Sequence, residues 1–249
     1  MITIKSAEEI EKMAEAGRIT AAALAEVEKA VRPGVSTWEL DEIAYDAITS
    51  MNAKPAFLNY NGFPGSICAS PNDVIVHGIP SKKVILKEGD IISVDIGAVY
   101  DGFVGDKART FPVGEISEEA KMLIEVTKQS FYEGLKFVKD GNRLNQVSKA
   151  IGDYAISKGY GVVRDYVGHG IGRKMHEDPA VPNYDTGRSG VRLRRGMVIA
   201  IEPMINVGSE ETLLADDGWK VSTIDGSLSA HYENTVAITE DGPRILTVV

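Results

Sequence analysis

Among 249 residues there is a single cysteine, Cys68. No internal disulfide can form, so nothing here is adapted to an oxidising compartment. Long hydrophobic runs are missing too. The N-terminus, Met1-Ile2-Thr3-Ile4-Lys5, leads straight into charged residues. It lacks the apolar stretch of ~7–15 residues of a signal peptide, and no segment reaches the ~20 apolar residues of a membrane span. A soluble, cytoplasmic protein without membrane association is expected. Positive charge is short as well: 27 Lys and Arg against 36 Asp and Glu leave a net −9. That balance argues against DNA or general nucleic-acid binding, which needs clustered cations to replace phosphate counterions. Lys82-Lys83 and Arg192-Leu193-Arg194-Arg195 remain as local docking points or as ordinary solvated surface. Two catalytic signatures are absent. There is no Gly-x-x-x-x-Gly-Lys-Ser/Thr loop for phosphotransfer and no Gly-x-Ser-x-Gly elbow for a serine hydrolase. Gly170-Ile171-Gly172 is only a fragment of a dinucleotide loop.

What is present suits one compact catalytic domain spanning residues 1–249, since 43% hydrophobic residues over this length can bury a large core. Ser6-Ala7-Glu8-Glu9 reads as a capping box opening a long helix that ends near Arg32-Pro33-Gly34. Ser36-Thr37-Trp38-Glu39 opens a second helix running to about Ser50. Residues Asp90 to Val113 alternate as strands around Asp101-Gly102, a hairpin signal. A third helix starts at Ser117-Glu118-Glu119 and is ended by Asp140-Gly141, and a fourth covers Leu144 to Lys158. Strands return at Gly196 to Ile201 and Tyr232 to Thr239. The order helix, helix, strands thus occurs twice, and the joints Val31-Arg32-Pro33-Gly34 and Val138-Lys139-Asp140-Gly141 lie 107 positions apart. Two similar halves with helices on one side of a curved, mainly antiparallel sheet give an α+β fold.

Five potential metal ligands occur in the order Asp95, Asp106, His169, Glu202, Glu233. In a hairpin turning at Tyr100-Asp101 the two aspartates face each other, and turning at Asp101-Gly102 they sit one diagonal step apart. Either way both carboxylates share a face. Such a pair repels unless a cation lies between them; taken alone, one of them could equally cap a turn. Gly168-His169-Gly170 sets an imidazole among glycines, where a backbone can approach closely. Glu202 follows the apolar run Met197-Val198-Ile199-Ala200-Ile201 and precedes Pro203, and Glu233 precedes another strand. Buried there, each carboxylate needs a partner. A histidine on its own is more often a packed or surface residue than a ligand, and His231 is read that way. Four carboxylates and one imidazole exceed what one ion usually takes, and they suit two hard or borderline divalent ions such as Mn, Fe, Co, Ni or Zn. Such ions, about 3.5–4 Å apart, would acidify a shared water for hydrolysis.

Tyr166-Val167-Gly168-His169-Gly170-Ile171-Gly172-Arg173-Lys174-Met175-His176-Glu177, continued by Asn183-Tyr184, resembles the signature of type I methionine aminopeptidases. So do Val76-His77-Gly78-Ile79-Pro80, Asp101-Gly102-Phe103 leading to Gly105-Asp106, Ile201-Glu202-Pro203-Met204 and Ser229-Ala230-His231-Tyr232-Glu233-Asn234-Thr235. These matches span nearly the whole chain in the family's order. The resemblance implies the pita-bread fold, two related halves around a dinuclear centre. By it, Asp95, Asp106 and Glu233 hold one ion and Asp106, His169, Glu202 and Glu233 the other. Water attacks the first peptide bond while Glu202 handles its proton, and the free α-amine of the substrate binds a metal. His176 stabilises the oxyanion and His77 hydrogen-bonds near the scissile amide. Phe57, Tyr60, Phe63, Cys68, Met175 and Trp219 map to the methionine pocket, and a monovalent cation is implied near Asn72, Val74 and Ser229. The implied substrate is the N-terminal Met of nascent polypeptides with a small second residue. Transient ribosome association and a monomeric state go with it.

Two rivals stand beside this reading. Prolidases and aminopeptidases P cut next to proline with similar ligands but usually carry an added N-terminal domain, for which the first 90 residues leave no room. A non-catalytic pita-bread protein that binds ribosomes would show eroded ligands, whereas all five are present. The late insertion of type II enzymes does not fit the 30 residues between Glu202 and Glu233.

Overall fold

The computed structural model describes residues 1–249. Helix α1 (Ala7–Ala30) starts where expected: Ser6 Oγ accepts from the Glu9 amide and the Glu9 carboxylate accepts from the Ser6 amide. Together they satisfy two of the open N-terminal donors. Helix α2 (Thr37–Ser50) repeats the arrangement with Ser36 and Glu39. α1 buries the stripe Ile10, Met13, Leu24 and Val27, and the Thr20 hydroxyl reaches the carbonyl of Gly105 at 3.2 Å. That face therefore lies on the hairpin Ile91–Tyr100 and Phe103–Pro112.

The second half begins with α3 (Glu118–Leu135) and α4 (Leu144–Ser157). α3 stops short of Asp140-Gly141. Its last turn tightens into three-residue bonds, Phe137 N–H to Gly134 O at 2.9 Å and Val138 N–H to Leu135 O at 3.1 Å. The Asn142 side-chain amide then takes up the Phe137 carbonyl, so the chain turns before the glycine. No helix is long and apolar enough to cross a membrane.

All strand pairs are antiparallel. In the first half Ile91–Tyr100 pairs with Phe103–Pro112 and also with Ile67–Pro71 and the short Lys54–Pro55. In the second half the order is Gly242–Ile245, Asn234–Thr239, Val198–Ile201, Gly168–Gly170, Glu177–Val181. Strands begin two residues later than expected at both Val198 and Asn234. Two apolar cores result, one under α1 and α2 (Leu24, Leu40, Ile92, Val94) and one beside α3 and α4 (Phe131, Ile151, Ile199, Val236). A third lies at the junction, with Met13, Phe57, Cys68, Phe103, Ile171 and Met175. The halves are joined by polar groups as well: Thr235 Oγ1 accepts from the Asp106 amide and donates to the Asp106 carbonyl, both at 3.0 Å. The α+β, mainly antiparallel pita-bread architecture is thus present, with its two halves meeting at Asp106.

Candidate metal centre and substrate cavity

Strand register places the five ligand candidates. Tyr100 pairs with Phe103, so the hairpin turns at Asp101-Gly102 and Asp106 stands opposite Gly97, one diagonal step from Asp95. In the second half His169 pairs with Ala200, which puts Glu202 one diagonal step away on the same face. The remaining relationship is closer. Ile201 pairs with Asn234 and Met204 with His231, so a single register runs across the gap and sets Glu202 directly opposite Glu233. Pro203 cannot donate to a ladder, and the pairing breaks there. The two glutamates face each other in that break.

Glycine makes the approach of His169 feasible. A Cβ on Gly168 would lie 2.4 Å from Ala200 O, and one on Gly170 2.1 Å from Asp178 O. Its strand is sandwiched between two others at distances that only hydrogen atoms fit. His169 Nε2 comes to 3.5 Å from both Asp106 Oδ2 and Glu202 Oε1, while its Nδ1 lies 2.9 Å from the Gly170 carbonyl.

Asp106 and Glu233 are buried, Asp95 and Glu202 are partly buried, and oxygens are left to spare. Asp95 Oδ1, Asp106 Oδ1 and Glu233 Oε1 have no hydrogen-bond partner. Burial, then the charges of Asp106 and Glu202, push the Asp95 carboxyl well up; Glu233 rises for the same reasons, with Asp95 adding to them. His169 goes the other way from what burial alone would do. Burial lowers it, but the Asp106 hydrogen bond and the Glu202 and Asp106 charges prevail and raise it to about 9. Packed like charges with open oxygens are unfavourable unless protons or cations occupy them. Asp106, His169 and Glu233 offer ligand atoms within 4.8 Å of one another, as do Glu202, His231 and Glu233. The donor set of oxygen with one or two imidazoles fits divalent ions.

The centre floors a cavity of about 200 Å³. Its walls include Phe57, Tyr60, Phe63, Cys68, His77, Met175, His176 and Trp219, so every residue expected at the methionine pocket is brought here. Cys68 pairs directly with Asp95, and burial followed by the neighbouring carboxylates pushes its thiol well up. Phe63 meets Trp219 edge-on at 5.1 Å. Gly97 leaves the room: a Cβ there would come within 3.1 Å of both Phe57 and Met175. His77 holds a left-handed backbone, φ 59°, which residues other than glycine adopt seldom. Burial lowers its pKa and so keeps it neutral. His176 is lowered by burial and by His169. Asn72 and Ser229 also come together, the Ser229 amide donating to the Asn72 carbonyl at 2.9 Å, and the strand Val74–Val76 contacts Ser229–His231.

The sequence pattern of metallopeptidase family M24 matches residues 11–240. A methionine aminopeptidase of Clostridium acetobutylicum is 56% identical over 248 residues, covering 100% of this chain and 99% of its own. The chain belongs to metallopeptidase family M24 and, within it, to the methionine aminopeptidases. The solved methionine aminopeptidase of Thermotoga maritima superposes with a TM-score of 0.98 at 47% identity and full coverage of both chains. The M24 prolidase reading is more distant. Against the prolidase from Pyrococcus furiosus the TM-score is 0.79 at 27% identity, over 99% of this chain and 65% of that one.

The M24 centre has supports that the sequence reading passed over. Arg109 donates to the Glu233 carbonyl and to Asn234 Oδ1 and stacks on Tyr232 at 3.7 Å, fixing the break that presents Glu233. Asn183 donates to the Glu202 carbonyl at 3.1 Å. Asn61 joins the cavity wall. His231 was expected to be an ordinary packed residue, and it is buried, but its Nε2 lies 3.6 Å from Glu202 Oε2. A signal for it existed, because residues two apart along a strand share a face and Glu233 is two positions on.

Proposed function

We propose that this chain removes the N-terminal methionine of nascent proteins and peptides, preferring a small second residue, at a pair of divalent ions held by Asp95, Asp106, His169, Glu202 and Glu233. The observation that carries this reading is the register that sets Glu202 against Glu233, with His169 at 3.5 Å from both Asp106 and Glu202, all flooring a cavity walled in part by Phe57, Phe63, Met175 and Trp219. Bound there, Mn, Fe, Co, Ni or Zn would supply Lewis acidity and a water acidified toward a pKa of ~7. Glu202, less enclosed than Glu233 at 13% side-chain exposure against 2%, takes the proton of the attacking water.

Two neutral histidines serve the substrate. The Tyr60 hydroxyl lies 2.8 Å from His176 Nδ1; with the phenol donating, the ring carries its own proton on Nε2. That N–H is the donor for the carbonyl oxygen as its charge grows. His77 donates near the scissile amide. The methionine side chain lies among Phe57, Phe63, Cys68, Met175 and Trp219, where sulfur meets ring edges. A monovalent cation near Asn72, Val74 and Ser229 belongs to the same reading.

A cytoplasmic monomer docking transiently at ribosomes is the setting this implies. One surface favours it. Residues 141–144 pair with 191–193, which sets Arg143 opposite Arg192, with Lys139, Arg188 and Arg194 also exposed on this ribbon. Like charges directly opposite are unfavourable without an anion, and phosphate backbone is one. Charge reversal at Arg143 and Arg192 should abolish salt-sensitive co-sedimentation with ribosomes.

The activity test is a peptide series. Met-Ala-Ser should release methionine rapidly, Met-Leu-Ser slowly, and Ala-Pro-Ala not at all. Cleavage of Ala-Pro-Ala alone would move the assignment to the prolidases.

A further inference from the structure

Three of the four histidines border the cavity. The fourth, His231, lies behind the carboxylates and is only 1% exposed. Its Nε2 has no hydrogen-bond partner and stands 3.6 Å from Glu202 Oε2 and 3.9 Å from Glu233 Oε2. The gap to Glu202 exceeds a good N–H···O bond, up to ~3.2 Å, by only a few tenths of an ångström. Glu202 is therefore flanked on two sides: His169 faces Oε1 at 3.5 Å and His231 faces Oε2.

The backbone of His231 is held by the other half of the molecule. Its amide donates to Thr110 Oγ1 at 2.8 Å, and the Thr110 hydroxyl donates to the His231 carbonyl at 3.1 Å. A threonine hydroxyl has one proton, so Ser93 must donate to Thr110 across the 2.8 Å between their oxygens. Ser93 and Thr110 pair in the hairpin that carries Asp95 and Asp106. A chain Ser93, Thr110, His231, Glu202 thus joins the aspartate-bearing hairpin to the glutamate of the second half.

We propose that His231 is a positioning residue: its ring donates Nε2–H to Glu202 Oε2 and holds that carboxylate's plane toward the cavity. Glu233 Oε2 lies within reach as an alternative acceptor. His231 is not itself a ligand, because it stays outside the cavity wall that all five ligands line. Metal-binding carboxylates are commonly hydrogen-bonded in this way, and loss of such a partner typically weakens metal affinity by about 10–100-fold.

The inference rests on the metal-centre reading above. The test is titration of Mn(II) into metal-free wild type, His231→Leu and His231→Gln, followed by calorimetry, with thermal melting of each apoprotein. Leucine fills the space without a donor, and glutamine restores an N–H. Expected are two ions in every protein, affinity about 10–100-fold weaker in His231→Leu, and recovery close to wild type in His231→Gln. Wild-type affinity in His231→Leu would overturn the proposal, as would equal weakening in both variants or loss of one ion at saturation from His231→Leu. Failure of wild type to bind Mn(II) would instead overturn the metal-centre reading itself.

Discussion

The Tyr60 hydroxyl and His176 Nδ1 are 2.8 Å apart, and this contact decides which nitrogen of the imidazole is free to donate. Tyr60→Phe removes it without touching a metal ligand. A hydrogen bond of this kind contributes about 0.5–1.5 kcal/mol, so kcat should fall about 2- to 12-fold with metal content unchanged. His176→Ala deletes the donor itself and should cost about 10²–10³-fold. Steady-state kinetics together with metal analysis check both, and unchanged kcat in His176→Ala would remove it from the reaction.

Asp106 is the carboxylate on which both halves converge, through Thr235 on the backbone and His169 on the side chain. Asp106→Ala should lose both ions and all measurable turnover. Without Asp106 the His169 imidazole loses a charged partner and Asp95 and Glu233 lose a like-charged neighbour, so the apoprotein's melting point should rise less toward low pH than that of metal-free wild type. Metal content by elemental analysis and melting of the two apoproteins give the answer.

Metal binding should release protons. Asp95 and Glu233 sit well above the carboxylate range through burial and neighbouring charge, and His169 sits at about 9. All three must be deprotonated to coordinate. Affinity should therefore fall from pH 8 to pH 6, with proton release visible as a binding heat that differs between buffers of different ionisation enthalpy. The apoprotein shows the opposite trend. Its raised carboxyls hold protons more tightly than the unfolded chain does, so they add stability as pH falls toward their ordinary values. The raised His169 contributes stability that is complete below its ordinary 6.5 and lost as pH rises through about 9. Metal-free protein should thus melt higher at pH 6 than at pH 8.

Gly170→Ala tests the placement of His169. The new Cβ would meet Asp178 O at 2.1 Å, and relief requires the strand to shift. Overpacking of this sort costs about 1–3 kcal/mol, and metal affinity should fall with it. Tight metal binding in this variant would show that the strand has slack the packing does not suggest.

Local chemistry was the legible part of the sequence. Ser6 with Glu9 and Ser36 with Glu39 are capping boxes in the structure because every partner lies within three residues. The hairpin was legible except for its turn, and pairing of Tyr100 with Phe103 settles that in favour of the diagonal arrangement. The short strands Lys54–Pro55, Ile67–Pro71 and Val74–Val76 carry too few residues for alternation to reveal them. One of them, Ile67–Pro71, nonetheless reaches the cavity through Cys68. The opposition of Glu202 and Glu233 depends on a register across 31 positions, which no local pattern encodes. His231 is concealed for a different reason: its period-two relation to Glu233 is present in the sequence, but a lone histidine is more often a packed residue than a partner of a ligand.

The most direct measurement is release of methionine from Met-Ala-Ser by metal-free protein titrated with Mn(II), with a chelator control. Turnover that rises with added metal to saturation near two equivalents, and that chelator abolishes, is the predicted result. Full release in the presence of chelator, or no release at any metal concentration, would contradict the account.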